Sequence, residues 1–109
     1  MTTPTSTAAA ALAASLLIGG THAAQADDTV HYRHEQVGDV KVFYREAGNP
    51  SAPTVLLLHG FAASSFMFRD LIPQLADRYH VIAPDLPAFG FTEAPARGQY
   101  AYTFSQLAQ

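Results

Sequence analysis

The sequence predicts an α/β fold built as an antiparallel hairpin followed by a parallel βαβ unit, and three observations predict it. Two extended stretches, residues 30–37 and 40–46, flank the turn pair Gly38-Asp39. Two short runs, Thr54-Val55-Leu56-Leu57-Leu58 and His80-Val81-Ile82-Ala83, are apolar without alternation, as in strands hidden on both faces by flanking helices. Between them Phe68, Leu71, Ile72 and Leu75 fall at i, i+3, i+4 and i+7, a stripe that suits one face of a helix.

Composition narrows the function classes. The 109 residues leave room for one small domain, and 49% hydrophobic with 14% charged residues is the balance of a chain that buries a core. The net charge is only -3 and the basic residues are scattered, so no nucleic-acid-binding stripe is expected. Cysteine is absent, which removes disulfides, thiolate metal sites and a cysteine nucleophile. The histidines lack ligand spacing, so neither a metal nor a cofactor is expected.

Residues 8–18 are apolar and alanine-rich, and Ala24-Gln25-Ala26 gives a small-x-small pattern before Asp27-Asp28. Residues 1–26 therefore read as a secretory signal, although the preceding stretch carries no Lys or Arg. The apolar run is shorter than the roughly 20 residues of a permanent membrane helix, so no membrane span is expected. Export would place the protein outside the cell or in the periplasm; a retained Ala/Thr tail would leave it in the cytoplasm.

Residues 27–109 are then the folding part. In the hairpin, Val40, Val42 and Tyr44 alternate with Lys41, Phe43 and Arg45, the pattern of a strand with one buried face. Residues 48–53, Gly-Asn-Pro-Ser-Ala-Pro, form a turn region before the first apolar strand. Ser64 or Ser65 caps the following helix, which Pro73 should kink so that its last turn restarts there. Pro84 stops the second apolar strand. A loop over residues 86–98 leads to Thr103-Phe104-Ser105-Gln106, a capping box that opens another helix. Only two turns remain after that signal, so the expectation is a partial domain cut early in this helix.

The segment Leu58-His59-Gly60-Phe61-Ala62-Ala63-Ser64-Ser65 and, one βαβ unit later, Val81-Ile82-Ala83-Pro84-Asp85-Leu86-Pro87-Ala88-Phe89-Gly90-Phe91-Thr92 together resemble an α/β-hydrolase. The resemblance covers nearly everything from Val37 to Gln109 and is closest to the branch of epoxide hydrolases and haloalkane dehalogenases. It implies the N-terminal part of an α/β-hydrolase sheet, in which the first segment is the His-Gly loop after the third strand and the second is the turn after the fourth. It also implies that Phe61 supplies one backbone N–H of an oxyanion hole, with His59 and Gly60 shaping the loop. The physical reason is that fixed amide donors at the C-terminal edge of a parallel sheet stabilise an anionic intermediate, while the Phe61 ring is free to line an apolar pocket. This sequence has Ala62 where the branch usually has proline and Ala88 where it usually has glycine.

The second amide donor normally follows the nucleophile in a G-x-S-x-G elbow or its Asp-bearing version, and no such motif occurs in the 109 residues. In the family's order the acid and the histidine come later still, so no residue of this chain is expected to be catalytic. His59 could act as a base, but with no nucleophile beside it structural hydrogen bonding is the expected role. Asp85 is expected to cap the turn that follows it. His31 and His34 point to opposite faces of a strand, and Tyr100, Tyr102 and Phe104 are expected to cover the core.

The family's third strand lies between the fourth and a fifth that these residues do not include. The strand Thr54-Val55-Leu56-Leu57-Leu58 should then be an open edge and a route to self-association. The resemblance implies a hydrolase acting in full-length form on a small apolar epoxide, halide or ester, with this chain inert alone. Two alternatives stay open: a non-catalytic secreted domain that pairs through its open edge, and one half of a split hydrolase.

Overall fold

A computed structural model describes residues 29–108; the expected export signal lies outside the described residues. β1 (His31–Val37) and β2 (Val40–Ala47) form an antiparallel hairpin closed at Gly38-Asp39, with Val37 opposite Val40 and His31 opposite Glu46. β3 (Thr54–Leu56) pairs in parallel with β4 (His80–Pro84), setting Val55 against Val81. β4 then joins the hairpin by pairing antiparallel to β2, giving the order β1-β2-β4-β3. The expected hairpin and βαβ unit are both present, and β3 forms the sheet edge. Leu57 carries the parallel ladder one residue past β3, its amide donating to the Ile82 carbonyl at 2.9 Å.

The connection between β3 and β4 is not one kinked helix. A 3-10 turn (Ser65–Phe68), capped by the Ser64 side chain, is followed by the short helix α1 (Ile72–Leu75). Pro73 sits in the first turn of α1, where its missing N–H costs nothing, so the chain breaks ahead of the proline rather than bending through it. The tight steps that bridge the break are Leu71 donating to the Phe68 carbonyl at 3.0 Å and Gln74 to the Leu71 carbonyl at 3.1 Å. Ile72 is driven fully inside and, with Ala47, Ala76, Val81 and Ala83, makes the core; Leu57, Phe68, Leu75 and Tyr79 pack around it.

That core lies on one face of the sheet. Val81 and Ala83 are buried while their neighbours His80, Ile82 and Pro84 are half-buried, and Leu56 and Leu58 are exposed. The expectation that both apolar runs are covered on both faces is therefore corrected for the described residues. The 3-10 turn and α1 form one layer, and the far side of the sheet opens into a cleft of about 840 Å³ bordered by Val42, Leu56, Pro84 and Leu107. α2 (Phe104–Leu107) carries no buried residue and Phe104 is 93% exposed, so the expected covering of the core by this aromatic is also corrected. Tyr100 and Tyr102 instead pack on each other, centroids 4.9 Å apart.

A polar clasp crosses the sheet at the end where β3 and β4 begin. Glu46 on β2 accepts from His80 Nε2 on β4 at 2.7 Å and pairs with Arg33 on β1, while His80 Nδ1 lies 3.4 Å from the Thr54 hydroxyl on β3. The His80 hydrogen bond is the main cause that holds the Glu46 carboxyl below its ordinary value of 4.5; partial burial opposes it and Arg33 assists. A carboxyl lowered on folding contributes stability that is complete above its ordinary value and is lost as pH falls through the lowered one. The urea midpoint should therefore decline as pH is taken down from about 4.5, and Glu46→Gln should flatten that decline.

Candidate functional site

The loops leaving the C-terminal ends of β3 and β4 lie against each other, and two buried side chains join them. His59 is buried, and its Nε2 accepts the Leu86 amide at 2.9 Å. Because a backbone N–H can only donate, the ring proton sits on Nδ1, which donates to the Gly60 carbonyl at 2.8 Å. Both nitrogens are engaged in holding the loop, as expected of a structural histidine. The ring also meets Phe89 edge-on at 5.3 Å.

Asp85 is 1% exposed and is the stronger tie. Its Oδ1 accepts the Ser65 amide at 2.6 Å and its Oδ2 the Phe91 amide at 2.8 Å, so one carboxylate pins the start of the 3-10 turn and closes the turn after β4. Its carbonyl accepts the Thr92 hydroxyl at 2.6 Å, and that hydroxyl accepts the Phe43 amide at 2.9 Å, fixing the loop to β2. Gly90 makes this closure feasible: it has a φ of +53°, and a Cβ there would lie 1.8 Å from Asp85 Oδ2. Capping of the following turn was readable from an Asp at a strand end ahead of Gly90. The link back to Ser65 was not, since it joins residues 20 apart in sequence.

Between these ties the His59-Gly60-Phe61 loop is presented outward. The Phe61 ring is 93% exposed and packs edge-on to Phe89 at 6.0 Å. Among the described residues no acceptor meets the amides of Gly60, Phe61 or Ala62, and residues 61–62 form a turn. A Cβ placed on Gly60 would meet nothing within 4 Å, so the loop is open to an approaching group. Phe61, Ala88, Phe89, Tyr102 and Leu107 border a cavity of about 630 Å³, with Arg97 at its edge. His31 and His34 lie on exposed β1, away from this site, and no group of acidic or histidine side chains among the described residues could hold a metal.

Both positions that depart from the branch pattern have left-handed backbone: φ is +61° at Ala62 and +74° at Ala88. A proline ring cannot adopt the Ala62 conformation, and alanine there and at Ala88 pays a steric penalty that glycine avoids. Ala88→Gly is expected to raise unfolding stability by about 1 kcal/mol, read from the urea midpoint.

The alpha/beta hydrolase fold family model matches residues 53–109, which include both loops. The chain belongs to the α/β-hydrolase fold family. It is similar to an uncharacterized hydrolase of Saccharomyces cerevisiae, 60% identical over 75 residues that make up 68% of this chain and 25% of the relative. It is also similar to epoxide hydrolase A of Mycobacterium tuberculosis, 49% identical over 51 residues, 46% of this chain and 16% of that one. Among solved structures, a haloalkane dehalogenase loop variant from Bradyrhizobium elkanii superimposes with a TM-score of 0.67 at 37% identity, covering 76% of this chain and 26% of the other. This α/β-hydrolase chain thus spans about a quarter of the length of the first of these curated relatives.

Proposed function

We propose that the chain supplies the oxyanion-hole side of a hydrolase that acts, in full-length form, on a small apolar epoxide, halide or ester. The observation that carries this reading is the run of amides from Gly60 to Ala62 that meet no acceptor among the described residues, on a loop that buried His59 and Asp85 hold in place. In it the Phe61 amide donates to the oxygen on which negative charge develops, and Gly60 leaves room for that oxygen. A nucleophile outside these residues attacks the substrate to give a covalent intermediate, which water then cleaves. The apolar border of the adjoining cavity, with Phe61 and Phe89, favours a substrate with little polar surface. The relatives named as epoxide hydrolase and haloalkane dehalogenase support the same substrate range.

Under this reading the 109 residues alone are inert, because they hold no nucleophile elbow. Export directed by residues 1–26 belongs to the same proposal, and intact mass of the protein from its native cell tests it by showing whether those residues remain attached. A second reading has one observation in its favour: β3 lies at the sheet edge, with Leu56 and Leu58 exposed, which suits strand addition by a second copy or a partner chain. The test is to assay the 109-residue chain and the protein from its native cell on an alkyl bromide, an aryl epoxide and a short-chain ester. Turnover by the native protein alone supports the hydrolase reading; none on any of the three, with a native mass no greater than 11.7 kDa, favours the pairing domain.

A further inference from the structure

We propose that the aromatic cleft around Arg45 binds a small apolar monocarboxylate, an aryl or short alkyl acid. Arg45 lies on β2 and is only 7% exposed. Its Nε donates to the Ser65 hydroxyl at 3.0 Å, and its guanidinium stands over the rings of Tyr32, Phe43 and Phe66 at 4.9, 5.5 and 5.6 Å. Aromatic faces attract a cation but supply no counter-charge. None of the ion pairs among the described residues involves Arg45. The acid nearest to it through hydrogen bonds is Asp85, reached only by way of Ser65, and both Asp85 oxygens are already taken by the Ser65 and Phe91 amides. A guanidinium so withdrawn from water, with no ionic partner of its own, attracts an incoming carboxylate more strongly than an exposed one does.

The shape of the site selects the rest of the ligand. Tyr32, Phe43, Arg45, Phe66 and Phe91 border a cleft of about 550 Å³, with Phe43 and Phe91 edge-to-face at 5.2 Å. Tyr32, Phe66 and Phe91 are exposed, so their rings offer apolar contact to a ligand whose carboxylate reaches the guanidinium. At the rim stand His34, edge-on to Phe43 at 5.3 Å, and Glu93, whose carboxylate is held by Lys41 at 2.8 Å. A ligand with a second acidic group would meet Glu93, which is why the site is assigned to a monoanion. No residue bordering this cleft borders the cavity beside Phe61, so the site stands or falls independently of the hydrolase reading.

Benzoate and its neutral isostere benzamide test the site on the intact chain, by calorimetric titration. Benzoate should bind saturably and benzamide about tenfold or more weakly, the difference being the charge-assisted contact to Arg45. The double variant Phe66→Ala with Phe91→Ala, which removes two exposed rings and keeps both backbone amides, should weaken benzoate by about tenfold. Equal affinity for benzoate and benzamide overturns the proposal, as does benzoate binding that the double variant leaves unchanged. Because the first comparison uses the unaltered chain, it decides even where the double variant fails to fold.

Discussion

Asp85→Ala is expected to lower unfolding stability by about 4 kcal/mol, enough to leave much of an isolated small domain unfolded. The carboxylate is buried and accepts from Ser65 and Phe91, so its removal orphans two amides at once, one at the start of the 3-10 turn and one in the turn after β4. Hydrogen bonds to a charged acceptor contribute about 1.5–3 kcal/mol each, which sets the size of the loss. Asp85→Asn gives a sharper comparison. An amide has the same shape but one acceptor oxygen, so its NH2 must face either the Ser65 or the Phe91 donor. Its expected cost is about half that of the alanine variant, measured as a shift in urea midpoint at constant slope.

Gly48→Ala should also be strongly damaging, by about 3 kcal/mol or more, at the opposite end of the sheet. Gly48 follows β2 with a φ of +84°, and a Cβ there would lie 2.0 Å from the Tyr79 carbonyl oxygen and 2.9 Å from that of Ala76. Both obstacles are backbone atoms between α1 and β4, and they cannot turn aside as a flexible side chain can. The substitution must therefore push β2 away from the chain that feeds β4. The same displacement would disturb the Glu46–His80 hydrogen bond two residues earlier on β2. The expected readout is a lowered urea midpoint together with loss of the acid-sensitive component that Glu46 contributes. A midpoint unchanged from that of the parent chain would show that β2 does not dock as described.

Much of this was legible because it depends on local pattern. The Gly38-Asp39 turn between two extended stretches specifies the hairpin, and the unbroken apolar runs around Val55 and Val81 specify adjacent strands. What packs on each face was less legible, since a run of apolar residues says that a strand is fit for burial and not which side is covered. In β2 the buried face carries Phe43, Arg45 and Ala47, although Arg45 is charged; its burial depends on Ser65 and on rings from β1 and the 3-10 turn, none of them local. Phe104 shows the reverse case, an aromatic left outside because nothing in the described fold reaches it.

At the site, resemblance singled out His59, Gly60 and Phe61, and the residues by themselves spoke against His59 as a base. Its two ring nitrogens are each occupied by the backbone of the loops it joins. The left-handed conformation of Ala88 was foreseeable only from the glycine that the branch usually carries there, because alanine by itself signals no positive φ.

The oxyanion assignment is tested most directly by kcat of the protein from its native cell after Phe61→Pro, compared with Phe61→Ala. Proline removes the N–H at Phe61, whereas alanine keeps it and removes only the exposed ring. The expected result is a fall in kcat of about 10²–10³-fold for the proline variant, with kcat of the alanine variant within a few-fold of the parent and its KM raised. The contradictory result is a proline variant, still folded by thermal melting, whose kcat matches that of the parent.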